Sequence, residues 1–208
     1  MSQPEVINNP IREWMEFAPI TLNKPMSREE FIQLSSKFPD LQMELEESGK
    51  TIIMTPVKKG SGKNELTVSG YLFIWYLKNK SGEVFSPSTG IELPDGSIRC
   101  PDCAWVSDER LAILPESSDE DFLKAVPDFV VEIRSQSDDL DRLQKKMSDT
   151  WMGNGVRLAW LIDPYEEVVH IYRVGEEVQL LKGFQGQVLK GEEVMPGMEL
   201  PLDDLRRK

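Results

Sequence analysis

The chain has 208 residues, 39% hydrophobic and 29% charged, with 14 glycines and 14 prolines spread along it, the profile of a soluble globular protein that needs no covalent staples. Its 36 acidic residues outnumber 24 basic ones, a net charge of -12, which argues against affinity built on covering many phosphates, although an acidic metal site or a local basic stripe can still engage a phosphodiester. No apolar run reaches the roughly 20 residues of a membrane helix, the start lacks a basic-then-apolar leader, and the lone pair Cys100 and Cys103 is too little for a four-ligand zinc site, so a cytoplasmic protein is expected.

Residues Met1 to Lys24 are polar and proline-punctuated and read as an N-terminal arm, followed by a single domain over residues 25–208. Ser27 and Glu30 form a capping box for a helix from Ser27 to Phe38, stopped by Pro39. Alternation predicts strands over Leu41 to Glu46 and Thr51 to Thr55, joined at Ser48-Gly49-Lys50. The segment KKGSGK reads as a loop, and Asn64 to Lys80 as a helix closed by Gly82. A small curved meander then takes in Glu83 to Phe85, Gly90 to Leu93 and Ser97 to Val106, with a turn at Pro94-Asp95-Gly96.

After a polar linker, Ser107 to Val126, the run FVVEIRS has the near-continuous apolar character of a strand buried on both faces. Leu140, Leu143, Met147 and Trp151 mark the apolar stripe of a helix over Ser137 to Met152, stopped by Gly153-Asn154-Gly155. Val156 to Ile162 is a second buried strand, parallel to the first. Val168 to Arg173 and Val178 to Leu181 make a hairpin, and the tail from Gly191 reads as irregular.

Two carboxylates fall inside apolar strand-like segments: Asp102 in PDCAWV and Glu132 in DFVVEIRS. Burying an ionised carboxylate among such neighbours is costly unless a cation or donor compensates it. On adjacent strands the two would form a hard oxygen site suited to Mg2+ or Mn2+, the arrangement that phosphodiester hydrolysis uses to neutralise developing charge. Arg134 lies two residues past Glu132, on the same strand face. Lys146 falls on the shoulder of the helical stripe, whereas Lys145 points nearly away from it. His170, the sole histidine, fits a polar position on a hairpin, and Trp105, Trp151 and Trp160 fit core packing.

Taken in order, Pro101-Asp102, then PDFVVEIRSQSD, then LQKKM, then NGVRLAWLIDP resemble the Uma-two family of restriction-endonuclease-like proteins, from about Leu41 to the C-terminus. The resemblance implies an α/β fold with a PD-(D/E)XK core, a mixed β-sheet flanked by helices. It implies metal on Asp102 and Glu132, with Arg134 where many nucleases keep lysine and Lys146 as a catalytic lysine moved onto the helix. Glu44 matches an upstream family acid that would join the metal ligands, and Glu65 falls close to another polar family position. Two departures stand out: Gln136 replaces the usual proline, and the helix between Lys146 and Gly155 is one residue longer than the family pattern, which leaves Lys145 open beside Lys146.

The expectation is a Mg2+-dependent endonuclease acting on DNA, as a homodimer through the hairpin and C-terminal segment. Two other readings fit the same residues: an inactive binding or assembly module that keeps the charge cluster for stability, and a metal-dependent phosphoesterase with a small substrate, which suits the acidic surface.

Overall fold

The computed structural model describes residues 20–22, 24–115 and 118–206. Most of the predicted N-terminal arm therefore lies outside the described residues, but its last part is structured: Ile20–Leu22 (β1) pairs antiparallel with Thr51–Ile53 (β3). Arg28–Lys37 forms α1, with both bonds of the Ser27/Glu30 capping box made. Met43–Leu45 (β2) pairs with β3, and Ile98–Arg99 (β6) joins β2 to Ile91–Glu92 (β5), completing a five-stranded sheet in the order β1-β3-β2-β6-β5. Phe31, Met43, Leu45 and Ile98 form a small core between this sheet and α1.

The stretch predicted as one strand over Ser97 to Val106 is two strands in two sheets. β6 ends at Arg99, and Cys103–Val106 (β7) begins after Pro101, which has no amide proton to continue the ladder. β7 belongs to a six-stranded sheet ordered β11-β10-β9-β8-β7-β4, where Glu83–Phe85 (β4) is its outer neighbour, so the expected meander is split. At the centre lie Phe129–Ile133 (β8) and Leu158–Asp163 (β9), parallel and buried along their whole length as the sequence suggests. Val168–Arg173 (β10) and Gln179–Lys182 (β11) form the expected hairpin.

Both faces of this sheet are covered. Lys59–Asn79 (α2) places Val68, Leu72 and Trp75 against Phe129, Val131 and Trp160. It begins five residues earlier than predicted, because Gly60 and Gly62 of the supposed loop are helical. The tail, predicted as irregular, contributes to the same core. Val188–Lys190 (β12) pairs with Glu199–Pro201 (β13), a short 3-10 helix covers Leu202–Leu205, and Met195, Met198, Leu200 and Leu205 are buried. A single turn of helix, Asp108–Leu111 (α3), lies in the linker.

On the opposite face the predicted helix of residues 137–152 changes type midway. Leu140–Lys145 (α4) is α-helical with Asp139 as its N-cap, and Lys146–Met152 continues as a π-helix. A π turn closes on i+5 and absorbs one residue more than an α turn.

Candidate active site

The register of β7 and β8 pairs Cys103 with Val131. One rung further stand Asp102 and Glu132, at the point where the chain crosses from the first sheet to the second. The amide of Ile133 donates to Asp102 Oδ2 at 2.6 Å, fixing the aspartate to the strand that carries Glu132. Asp102 thus sits just before its strand, not within it as expected. Like charges facing across a strand pair destabilise a sheet, so the pairing needs compensation.

Part of that compensation is Lys146. Its Nζ lies 2.8 Å from Glu132 Oε1 and 2.9 Å from Glu44 Oε1. The π-helix also directs Trp151 inward, where its indole N–H donates to Glu132 Oε1 at 2.8 Å. Glu44, on β2, is 4% exposed, so its strand is covered on both faces where alternation suggested one open face. Its Oε2 accepts from Arg99 at 3.1 Å and its Oε1 from the Cys100 amide at 3.0 Å.

Charge balance decides what the cluster lacks. With Glu44, Asp102 and Glu132 ionised against Arg99 and Lys146, one negative charge is left over. The pKa shifts locate it. Burial raises the Asp102 carboxyl well above the usual range, and the Glu132 charge raises it further. Glu132 is also raised, by burial and by Glu44, against the pull of Lys146. Glu44 is lowered, since Lys146 and Arg99 together outweigh its burial. For Lys146 burial favours the neutral amine, but Glu132 and Glu44 outweigh it and raise its pKa. Asp102 and Glu132, both raised, therefore favour a proton or a cation between them.

A Mg2+ or Mn2+ ion fits this donor set. Among the described residues, hydrogen bonds are made to Oδ2 of Asp102 and Oε1 of Glu132 and not to the second oxygen of either carboxylate. Among the described residues no three His, Cys, Asp or Glu side chains converge as a closed metal cage. Two carboxylates completed by water and substrate phosphate is the usual condition of Mg2+. Glu44, already bonded to two cations and an amide, is a tether for Lys146 more than a metal ligand.

The other candidates are separated. Arg134 turns to Asp163 at 2.6 Å and to the Asp138 carbonyl at 3.3 Å, not to Glu132. Asp163 Oδ1 accepts the amides of Tyr165 and Glu166, the strand-ending turn expected of Asp163-Pro164. Lys145 is 79% exposed, beside Asp149 at 4.0 Å. Glu65, raised by burial, adds a charge that helps raise Asp102. His170 is buried against Gln144, its pKa lowered by burial. Cys100 and Cys103 are free, buried thiols pushed up to about 12 chiefly by burial. Sequence reasoning missed Arg99, whose place in an alternating strand resembled any surface charge, and the polar use of Trp151, whose position on the apolar stripe signalled packing alone.

A mixed sheet flanked by helices, with a Pro-Asp carboxylate facing the glutamate of an ExR strand, defines the restriction-endonuclease-like class. A crystal structure described as "a putative nuclease belonging to DUF820", from Anabaena variabilis ATCC 29413, superposes with a TM-score of 0.71 at 19% identity, covering 87% of this chain and 97% of that one. Among curated proteins no sequence matches. Residues 28–203 match the Uma2 family, described as "Putative restriction endonuclease", and the chain belongs to that family. Among the described residues no helix is long and apolar enough to cross a membrane.

Proposed function

We propose that this protein is a metal-dependent endonuclease that hydrolyses DNA phosphodiester bonds, working in the cytoplasm as a homodimer. The observation that carries this reading is Asp102 facing Glu132 across adjacent strands, with the Lys146 ammonium 2.8 Å from Glu132. Bound between Asp102 and Glu132, Mg2+ or Mn2+ would polarise the phosphoryl oxygen and ease deprotonation of the attacking water. Lys146 remains an ammonium at neutral pH because both its carboxylate neighbours favour that form, so it serves as a donor to the developing oxyanion and not as a base. Glu44 and Trp151 hold Lys146 and Glu132 in register. Arg134 stiffens the strand end through Asp163. Dimerisation is supported by the hairpin edge, where Val174, Val178 and Leu180 are exposed apolar residues.

Supercoiled plasmid incubated with the protein and Mg2+ or Mn2+ tests this. Nicked or linear product is expected, with at least about a hundredfold loss in Asp102→Ala and in Glu132→Gln. A second reading, an inactive module of the same fold, is favoured by the closed Glu44–Lys146–Glu132 ion network. It would be established if no DNA were cleaved and calorimetry found no metal uptake that Asp102→Ala removes.

A further inference from the structure

Lys58, Lys59 and Lys63 stand at the start of α2, where local physics disfavours them. A helix N-terminus carries partial positive charge and favours acids, yet the first turn of α2 has none, and Lys58 caps it without a side-chain bond. Lys59 and Lys63 are four residues apart, a like-charge pair that weakens a helix. Gly60 and Gly62 cost about 1 kcal/mol each relative to alanine. A chain with a net charge of -12 has concentrated cations where its own fold gains nothing from them.

The same turn forms one wall of a cleft of about 600 Å³, where Lys59, Lys63 and Asn64 face Tyr165 and Arg206. Arg206 is set in position by Glu167 at 3.1 Å and Asp203 at 3.5 Å, and Lys63 Nζ reaches the Asp204 carbonyl at 3.4 Å. Among the described residues Lys59 forms no ion pair. Apart from its own helix backbone and chain neighbours, nothing lies within 4 Å of where a Cβ on Gly60 would be, so a bulky ligand can approach the backbone there. The two walls of the cleft run on, in sequence, to residues linked to the carboxylate site. Glu65, two residues past Lys63, acts on Asp102, and Tyr165 follows Asp163, the partner of Arg134 at the end of the Glu132 strand. Ligands of such sheets collect beyond the carboxyl ends of the parallel strands, where this cleft opens.

We infer that the cleft holds a backbone phosphate of the DNA strand, away from the bond being cut, through Lys59, Lys63 and Arg206; this rests on the nuclease reading above.

The double variant Lys59→Ala/Lys63→Ala tests the inference, with labelled duplex DNA followed by fluorescence anisotropy over a range of salt concentrations. Affinity is expected to fall about tenfold or more, and the slope of log K against log salt to shrink by about 1.8. Cleavage should show the loss as a higher KM for DNA, and Lys59→Arg/Lys63→Arg should restore most of it. With the like-charge pair gone, the Tm of the alanine variant should rise by about 1–2 °C, which separates weak binding from poor folding. A wild-type protein that cleaves DNA while the alanine variant keeps both affinity and salt slope overturns the cleft and leaves the nuclease reading standing. A mononucleotide bound as tightly as the duplex, and lost equally in the variant, overturns it in favour of a small phosphorylated ligand. A wild-type protein that neither binds nor cuts DNA overturns both.

Discussion

Lys146 holds its ammonium 2.8 Å from Glu132 Oε1, and the two groups sit on elements that meet only through the packing of a π-helix on the six-stranded sheet. Truncation of a buried charge leaves its partner unpaired, at a typical cost of about 3–5 kcal/mol. Lys146→Met should therefore lower unfolding free energy by about that much at neutral pH, measured in urea, because Glu132 and Glu44 lose their shared cation. At the neighbouring exposed position, Lys145→Met should change it by no more than about 0.5 kcal/mol. Equal losses at both positions would contradict the assignment of the buried cation.

Asp102→Asn should stabilise the metal-free protein, by about 1 kcal/mol at neutral pH. The folded state raises the Asp102 pKa, so it binds a proton more tightly than the unfolded chain, and stability falls as pH rises from the unfolded value towards the raised one. Asparagine removes that penalty and can still accept the Ile133 amide. The gain should be full above the raised pKa and vanish below about pH 4, where the aspartate is protonated in both states. Chemical denaturation of the two proteins across this range gives the comparison, and a variant less stable at neutral pH would refute it.

Filling the same site with a divalent ion should displace a proton. Because Asp102 and Glu132 are both raised, Mn2+ affinity should strengthen as pH rises, up to about tenfold per pH unit while one proton is being exchanged. Titration calorimetry in buffers of different ionisation enthalpy counts the protons released. Pairing runs the other way at Glu44, whose pKa is lowered: its contribution to stability is present above the unfolded value and is lost only as pH falls through the folded one.

Gly153→Ala should destabilise the protein by about 1–3 kcal/mol, reversing the gain that a glycine-to-alanine change usually brings in a helical backbone. The backbone of Gly153 is in the right-handed helical region, with φ -58, but a Cβ there would sit 2.1 Å from the Asp149 carbonyl oxygen. If the π turn relaxed to accommodate the methyl, Trp151 would move from Glu132, and its fluorescence would report the change.

Legibility in the sequence followed the reach of each signal. The short continuous apolar run FVVEI marked the central strand, and the helical spacing of Leu140, Leu143, Met147 and Trp151 marked its covering helix. A change of sheet leaves no mark on period, so β6 and β7 read as one strand, with Pro101 the only hint of a break. The burial of Glu44 left no local mark, because its cations, Arg99 and Lys146, lie 55 and 102 residues away in the chain. Lys145 and Lys146 are neighbours in the chain, and the winding of the helix through them sets which one reaches Glu44 and Glu132. Widely spaced Met and Leu residues hid the packing of the tail on α2.

Asp102 lies at the crossover between the two sheets, which makes it a pivot. A point on the pivot moves least when one leaf rocks against the other, and the Ile133 amide fastens Asp102 to the leaf that carries Glu132. Glu44 is on the other leaf, on a lever arm, gripping Lys146 from across the gap. Rocking of the five-stranded sheet would therefore leave the spacing of the two facing carboxylates unchanged, while the ammonium, held to Glu132 on one leaf and to Glu44 on the other, would feel it.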